Sequence, residues 1–294
     1  MASPVLKGFV FAISSAILWG VSGTFAQFLF QERAVNVDAL ITIRMVSAGL
    51  LLLLFSRFVQ QADIVSIWKN AKDAVQLAVF SITGMLAVQY TYFAAIKHSN
   101  AATATVLQYA GPVIIAIYLA FKYRRMPSFL DFVAIALAVV GTFLLVTHGD
   151  ITALSISAPA FFFGIASAFA LAIYTLQPIP LLKKYKSTLV IGWSMFVGGM
   201  GFLIVSLPFE VEGVWDLQTY LSTAFIIVFG TLIPFYAYLT AVKIIGGQKT
   251  SLLASAEPLS ATVLAVLWLG VAFTGMDWLG TLCIVSTIFL LSKN

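Results

Sequence analysis

One glutamate lies deep inside an apolar stretch of the chain, directly before a proline. It is Glu257, in the run SLLASAEPLS. Pro258 has no N–H to donate, so we expect the carbonyl of Ala254 to lose its helical partner and the helix to kink. If the stretch crosses a membrane, the carboxyl group is expected to titrate or to bind a cation, because ionisable side chains at that depth are usually functional. The alternative is a protonated acid that holds the kink through Ser255, Ser260 or the freed backbone.

A second apolar stretch repeats the proline without the acid. It opens with the small, polar run SNAATAT and continues to AGPVI, where Pro112 is expected to free the carbonyl of Gln108. Small residues let helices approach closely and let main-chain groups reach a cavity. Gln108 and Tyr109 are therefore candidates for a binding cavity, with plain helix packing as the alternative. We expect Pro112 and Pro258 to act as kink or gating positions.

Arg44 is the other charge inside an apolar stretch. It could extend outward to Asp38, line a gate, or meet a substrate, and the gate is the role we assign to it. Amphipathic side chains complete the set, since a buried Tyr or Gln needs a partner and several together suggest a cavity with aromatic walls. Those we expect to bind substrate, besides Glu257, Gln108 and Tyr109, are Trp19, Gln89, Tyr90, Tyr174, Gln177 and Tyr236, and Tyr92 and Tyr238 belong to the same amphipathic group.

The composition indicates that these residues lie on membrane helices. Of the 294 residues, 61% are hydrophobic and 9% are charged, against about 25% charged in ordinary soluble domains. A membrane span needs about 20 mostly apolar residues. The sequence predicts an all-α integral membrane protein with ten such helices, over residues 6–29, 37–56, 75–96, 100–120, 128–147, 157–179, 188–208, 218–241, 248–270 and 276–292.

The basic residues predict the orientation, because Lys and Arg remain on the cytoplasmic side of short loops. With the N-terminus inside, all 16 basic residues except Arg33, Lys97 and Arg44 fall on the inner side. Both termini are then cytoplasmic. Glu257 lies about 9 residues into the ninth span, roughly 13 Å from its start and near the bilayer midplane.

Internal similarity predicts two copies of a five-helix unit, residues 1–150 and 151–294. A shift of 146 positions pairs Gly84 with Gly230, Tyr90 with Tyr236, Tyr92 with Tyr238, Pro112 with Pro258 and Asp131 with Asp277. Five is odd, so the second copy must enter the membrane from the opposite side, which gives an inverted-topology repeat. Such repeats are typical of secondary transporters that alternate access to one central site.

The chain resembles the drug/metabolite transporter superfamily, EamA type. The resemblance rests on the ten apolar spans in two halves, the run AISSAILWG in the first span, ITIRMVSAGLLL in the second and SAEPLSATVLAVLWLG in the ninth. It implies a carrier in a bacterial-type cytoplasmic (inner) membrane that exports amino acids or similar metabolites from a central cavity. One departure is Gly111, which stands where members often have a second glutamate before the proline.

Other classes of function are disfavoured. An aspartate dyad would need two acids at one depth, yet Asp131 and Asp277 are predicted at opposite faces, and His98 and His148 do not form an HExxH motif. We therefore predict no enzyme, no metal, no cofactor and no nucleic-acid partner, and expect a monomer in the lipid bilayer. Proton coupling stays open, as do a different solute (a drug cation, nucleobase or sugar derivative) and a non-transporting membrane receptor or structural protein.

Overall fold

The structure is a computed structural model that describes residues 4–124, 126–153, 157–206, 212–260, 263 and 274–293. Every regular element in this part is helical, as predicted. An apolar chain in lipid has no water to satisfy its backbone groups, so it must bond them within helices. The helices are α1 Pro4–Gln31, α2 Val37–Leu54, α3 Ala71–Phe80, α4 Ala87–His98, α5 Ala101–Gln108, α6 Gly111–Tyr123, α7 Phe129–Thr147, α8 Ala158–Leu176, α9 Ile179–Lys184, α10 Ser187–Val205, α11 Leu217–Ile227, α12 Ile233–Ile245, α13 Gly247–Leu253 and α14 Gly275–Lys293.

Eight helical stretches of the described residues are long and apolar enough to cross a membrane. They coincide within a few residues with the first eight predicted spans, and they cover Pro4–Gln31, Val37–Val59, Ala71–His98, Thr103–Tyr123, Phe129–Thr147, Ala158–Lys184, Ser187–Val205 and Leu217–Ile245. A shorter apolar helix, Gly275–Leu290, stands at the tenth predicted span. The ninth, 248–270, lies outside the described residues beyond position 260 except for 263. The count of ten stays a prediction.

Polar side chains at the loop ends fix where several helices begin. A cap is favourable because the first turn of a helix leaves its N–H groups without helical acceptors. Asn36, Asn70, Asn100, Ser157 and Asp216 each accept from a backbone N–H two or three residues ahead. At the start of α7, Ser128 and Asp131 cap each other's backbone in a full capping box.

Three membrane-crossing stretches contain a short π-helical segment: Phe55–Val59 ends the second, and the other two lie within the third and the eighth. Ser81–Leu86 joins α3 to α4, and Val228–Leu232 joins α11 to α12. Each contains one glycine of the pair Gly84 and Gly230, which the 146-residue shift aligns. A π segment inserts an extra residue into the turn and is found frequently at functional sites. The segments that contain Gly84 and Gly230 therefore lie at matching positions along the chain.

Two helices are interrupted before their prolines. α5 ends at Gln108, a turn follows at 109–110, and α6 begins at Gly111 with Pro112 in its first turn. α13 likewise ends at Leu253 and a turn follows at 254–255 before helical residues resume at 256–260. The predicted span 100–120 is thus two helices with a break, because proline fits a helix start and clashes within its interior.

The helices pack in four dominant pairs: α2 with α10, α7 with α14, α1 with α12, and α4 with α8. α2 and α10 approach so closely that a methyl group on Gly49 would lie 2.6 Å from the backbone nitrogen of Phe196. The larger of two buried apolar clusters joins α1, α2, α4, α8, α10 and α12, and it surrounds the cavity described next.

Candidate functional site

A cavity opens between the broken helices and the helices around them. It holds about 680 Å³ of space that atoms do not fill, part of which is open solvent. Its lining is mostly apolar and aromatic with a few polar groups. The lining residues are Trp19, Ser22, Gly23, Arg44, Val88, Gln89, Tyr92, Phe93, Gln108, Tyr109, Leu171, Tyr174, Gly230, Phe235, Ser251, Ala254 and Glu257.

The structure brings most of the sequence-predicted site residues to this one cavity. Those that line it are Glu257, Gln108, Tyr109, Gln89, Trp19, Tyr174 and Arg44. Five others are absent from its lining: Tyr90, Tyr236, Gln177, Pro112 and Pro258. The two prolines shape the site indirectly, through the helix breaks that precede them.

Glu257 is 6% exposed and accepts a hydrogen bond from the hydroxyl of Tyr92, 3.3 Å from its Oε1. That hydroxyl also lies 2.8 Å from Oγ1 of Thr105. No cation of the described residues is within ion-pair distance of the carboxyl group. The alternative of a protonated acid named Ser255 and Ser260 as partners, but neither hydroxyl donates to the carboxyl group. Ser255 donates to the carbonyl of Leu252, and Ser260 donates to the carbonyl of Glu257 itself.

A tyrosine from the first half of the chain forms a hydrogen bond to the backbone at the break in the ninth predicted span. The Tyr109 hydroxyl donates to the carbonyl of Ala254, one of the groups that the break leaves without an ordinary helical partner. The same carbonyl accepts a hydrogen bond from the backbone N–H of Glu257 at 2.9 Å, so this turn has the i to i−3 pattern of a 3₁₀ helix. This tight turn positions Glu257 on the cavity wall. Tyr109 therefore fastens one broken helix to the other.

Arg44 is 3% exposed and lies on aromatic rings. Its guanidinium carbon is 4.4 Å from the ring centroid of Phe93 and 6.0 Å from that of Phe235. Such a contact stabilises a desolvated cation by about 2 kcal/mol. Its Nε has no hydrogen-bond partner, and no carboxylate of the described part is within ion-pair distance. Of the alternatives that the sequence left open for Arg44, the ion pair with Asp38 is not formed, and the side chain lines the cavity.

Tyr90 and Tyr236 pack against aromatic rings of other helices and do not line the cavity. Tyr90 packs edge-on against Phe163 and Phe202, and Tyr236 packs against Phe11. Residues two apart on a helix point about 200° apart, so only one tyrosine of the 90 and 92 pair can face the cavity. It is Tyr92. Spacing of three and four residues, as in Gln89, Tyr92 and Phe93, could have identified this face.

Gln177 lies away from the cavity, in a contact between the two halves of the chain. Its Nε2 donates to the carbonyl of Gln76, and the Nε2 of Gln76 donates to the carbonyl of Gln177, both at 3.1 Å. Nearby, Asp73 accepts from Nζ of Lys184 at 2.7 Å and from the hydroxyl of Tyr185 at 2.8 Å. We name Asp73, Gln76, Gln177, Lys184 and Tyr185 the inner cluster, because they lie at the predicted cytoplasmic end.

Several polar atoms of the cavity wall are free to contact a ligand. The Oε1 of Gln89 and the hydroxyl of Tyr174 are buried and have no hydrogen-bond partner in the described structure. Buried polar atoms are usually satisfied, and an exception at a cavity often awaits a ligand or water. Trp19 packs edge-on against Phe235 and stacks near Tyr238, which makes that side of the cavity aromatic.

The acids and histidines show no arrangement for hydrolysis in the described residues. No group of three or more His, Cys, Asp or Glu side chains gathers there as a metal site. Asp131 caps the start of α7, whereas Asp277 contacts His148, just beyond the other end of α7, at 2.8 Å. These two aspartates are therefore separated by the length of a helix, roughly 28 Å at 1.5 Å per residue.

Known proteins match this chain over nearly its whole length. A Salmonella typhimurium protein named an uncharacterized inner membrane transporter, YicL, is 46% identical over 292 residues, which is 98% of this chain and 96% of that protein. An uncharacterized transporter of Bacillus subtilis, YwfM, is 24% identical over 96% of this chain and 93% of its own length. A solved crystal structure with 16% identity shares the fold, with a TM-score of 0.78 over 97% of this chain and 96% of that one.

The sequence profile of the EamA-like transporter family matches residues 6–147 and 158–293. The match covers nearly all the predicted spans, and the relatives above are named as transporters. The family and these names indicate a transporter and not an enzyme. The chain is a multi-pass membrane transporter and belongs to the EamA-like transporter family of the drug/metabolite transporter superfamily.

Proposed function

We propose that this transporter exports amino acids or similar small amphipathic metabolites across the cytoplasmic membrane by alternating access around the central cavity. The observation that carries the proposal is the wall of the cavity. Residues from both halves of the chain form it, and it combines a carboxylate, a guanidinium and aromatic rings. A substrate with polar and apolar parts is complementary to such a wall. Secondary-active transport and facilitated flow are both compatible with it.

The proposed mechanism needs two similar halves that exchange roles, and the packing supports it. α1 packs on α12 and α8 packs on α4, so the first span meets the eighth and the sixth meets the third. α2 with α10, and α7 with α14, join the second span to the seventh and the fifth to the tenth. Exchanging the two proposed halves, 1–150 and 151–294, turns this set of pairs into itself. The matching π segments and helix breaks support the same symmetry.

Two polar contacts at opposite predicted faces are candidates for the alternating gates. Asp73 near the start of the third span bonds Lys184, which follows the sixth. Asp216 at the start of the eighth span lies 3.4 Å from Arg33, which follows the first. The two pairs are equivalent under exchange of the halves. In an alternating-access cycle, we expect the inner pair to separate when the cavity faces the cytoplasm and the outer pair to separate when it faces outward.

The proposal places both termini in the cytoplasm, as the distribution of Lys and Arg predicts. The name of the Salmonella relative, an inner membrane transporter, supports the choice of membrane. Because one chain contains both halves of the cavity, we propose that the monomer is the transporting unit. No cofactor takes part in this scheme, and protons enter it only if Glu257 is the coupling group.

A solute of another class is the second candidate, and one observation favours an organic cation. Glu257 has no cationic partner among the described residues, and aromatic rings line the same cavity. A carboxylate with aromatic walls suits an amine or a quaternary ammonium group. A panel of substrates separates the two candidates. If the substrate is an organic cation, amines that have no carboxylate group should be transported.

The test is counterflow in proteoliposomes that contain the purified protein. Vesicles are loaded with each of the twenty amino acids in turn, and then with amines, nucleobases and sugars, and uptake of the radiolabelled solute is followed. We expect saturable counterflow for at least one amino acid. Saturable counterflow of amines alone would replace the first candidate by the second. No counterflow with any solute would contradict the proposed function.

Glu257→Gln tests the part of the scheme that concerns protons. The matched control is Glu32→Gln, the same change on an exposed acid outside the cavity. If Glu257 couples transport to protons, the variant loses the pH dependence of uptake while the control keeps it. Uptake by Glu257→Gln that equals the wild type at every pH would exclude the coupling role.

A further inference from the structure

We infer that the cavity recognises a zwitterion at two points, with the carboxylate of the substrate on the guanidinium of Arg44 and its ammonium group on Glu257. This inference rests on the proposed function and deepens it. It names the chemical groups that the substrate must carry. It also changes the role of Arg44 from the gate that the sequence suggested to a residue that determines specificity.

The state of Arg44 supports the anionic half of the site. Arg44 is only 3% exposed, and its Nε has no hydrogen-bond partner. No carboxylate of the described residues lies within ion-pair distance of it. A buried charge without a counter-charge is strongly unfavourable. The ring of Phe93, 4.4 Å from the guanidinium carbon, orients the group without neutralising it. The missing partner is therefore an anion supplied from the cavity.

The geometry of a guanidinium favours a carboxylate over other anions of similar charge. Its planar fork presents two parallel N–H groups that match the two oxygens of a carboxylate. The contact with Phe93, 4.4 Å from the guanidinium carbon to the ring centroid, uses none of the N–H donors for a hydrogen bond. A small organic acid group can therefore bind edge-on from within the cavity.

Glu257 provides the second point on the same cavity wall. Glu257 is 6% exposed, and its carboxyl group accepts a hydrogen bond from the uncharged hydroxyl of Tyr92. Arg44 and Glu257 both line the cavity, yet they do not form an ion pair with each other. A ligand with one charge would leave the other residue without a counter-charge. A dipolar ligand satisfies both, so the two charges together select a zwitterion.

The experiment uses three probes matched to the amino acid that the counterflow panel identifies: the amino acid, its carboxamide and its deaminated acid. For leucine these are L-leucine, L-leucinamide and 4-methylpentanoate. Binding is measured as the ligand-induced shift of the unfolding temperature of the purified wild type. We expect the amide, which lacks the carboxylate, and the acid, which lacks the ammonium group, to bind at least tenfold more weakly than the amino acid.

Two variants of Arg44 distinguish recognition from a structural role. In Arg44→Gln, the amino acid and its amide should bind with affinities within twofold of each other, because the group that distinguishes them is gone. Arg44→Lys keeps the charge but lacks the fork, so it should bind the amino acid more weakly than the wild type and still prefer it to the amide. Without ligand, Arg44→Gln should unfold at a temperature close to that of the wild type, because the loss of the contact with Phe93 is offset by removal of a buried charge that has no counter-charge.

An Arg44→Gln variant that keeps the wild-type preference for carboxylate over amide would overturn the inference and leave the proposed function intact. If Arg44→Gln fails to fold, Arg44→Lys decides the question: a lysine variant that binds the amino acid as tightly as the wild type would overturn the inference, because the guanidinium fork would then contribute nothing. If the wild type itself neither binds nor exchanges any amino acid, the proposed substrate class is wrong and the zwitterion site is excluded with it. That outcome is visible before any variant is made.

Discussion

The hydroxyl of Tyr109 donates a hydrogen bond to the carbonyl of Ala254, so that the break in one helix is fastened to the break in the other. The two residues belong to different halves of the chain and both line the cavity. The carbonyl is one that a continuous helix would have bonded internally. The bond therefore links the shape of the cavity to the two proline-associated turns.

Tyr109→Phe removes this bond and preserves the ring. We expect a loss of about 1 kcal/mol in the free energy of unfolding, the usual contribution of one buried hydrogen bond, and a lower affinity for substrate because the turn before Glu257 loosens. Thermal unfolding and ligand titration measure the two effects. Tyr90→Phe is the control, since Tyr90 is a half-buried tyrosine outside the cavity. Equal effects of both changes would contradict the role of the bond.

The inner pair of Asp73 and Lys184 should be energetically coupled. A double-mutant cycle with Asp73→Asn and Lys184→Gln should give a coupling energy of about 1 kcal/mol, modest because the lysine side chain is 55% exposed and partly screened by solvent. Higher salt should reduce it. The control cycle uses Asp63 and Lys69, which pair at 2.6 Å within one exposed loop and should couple less. A larger coupling in the loop pair would argue against the inner cluster as a gate.

Gly49 should tolerate no side chain, because α2 and α10 touch there backbone to backbone. A methyl group would lie 2.6 Å from the nitrogen of Phe196 and 2.9 Å from the carbonyl oxygen of Gly192. Since backbone atoms cannot rotate away, Gly49→Ala should cost about 1–3 kcal/mol of stability. Gly201→Ala on α10 is the control, as it meets nothing within 4 Å. Thermal unfolding of both variants decides the matter, and a stable Gly49→Ala protein would contradict the packing.

Asp216, the N-cap of α11, should make the stability of the protein depend on pH. The backbone N–H of Thr219 is the main cause that lowers the pKa of the Asp216 carboxyl, with a smaller effect from Arg33. A lowered pKa in the folded state means that the stabilisation is complete above the unfolded value of about 4 and is lost as the pH falls below it. Asp216→Ala should therefore unfold at a lower temperature than the wild type at pH 7, and the gap should close in acid.

Asp216→Asn separates the two functions of this carboxylate. Asparagine is as good an N-cap as aspartate but cannot pair with Arg33. We expect it to restore most of the stability that Asp216→Ala loses, with the remainder reporting on the ion pair at 3.4 Å. An asparagine variant as unstable as the alanine variant would mean that the cap contributes little.

The sequence alone determined the all-helical membrane fold and the residues that belong to its interior. Long apolar runs must be helical in lipid, and Glu257 and Pro258 stand out because such positions rarely hold a charge or a proline. The pairing of Pro112 with Pro258 likewise pointed to two breaks, which depend on local backbone chemistry. These features depend on composition and on residues that are adjacent in the sequence, so they can be predicted without knowledge of the tertiary contacts.

Only the tertiary structure decided which polar residues meet. Tyr92 and not Tyr90 reaches Glu257, Gln177 bonds Gln76, and Arg44 lies against Phe93 without an ion pair to Asp38. The rotation of each helix about its axis is set by packing against helices far away in sequence. An amphipathic residue in an apolar helix can face lipid, a neighbour or a cavity, and the chain's own pattern does not separate these three when nearly every face is apolar.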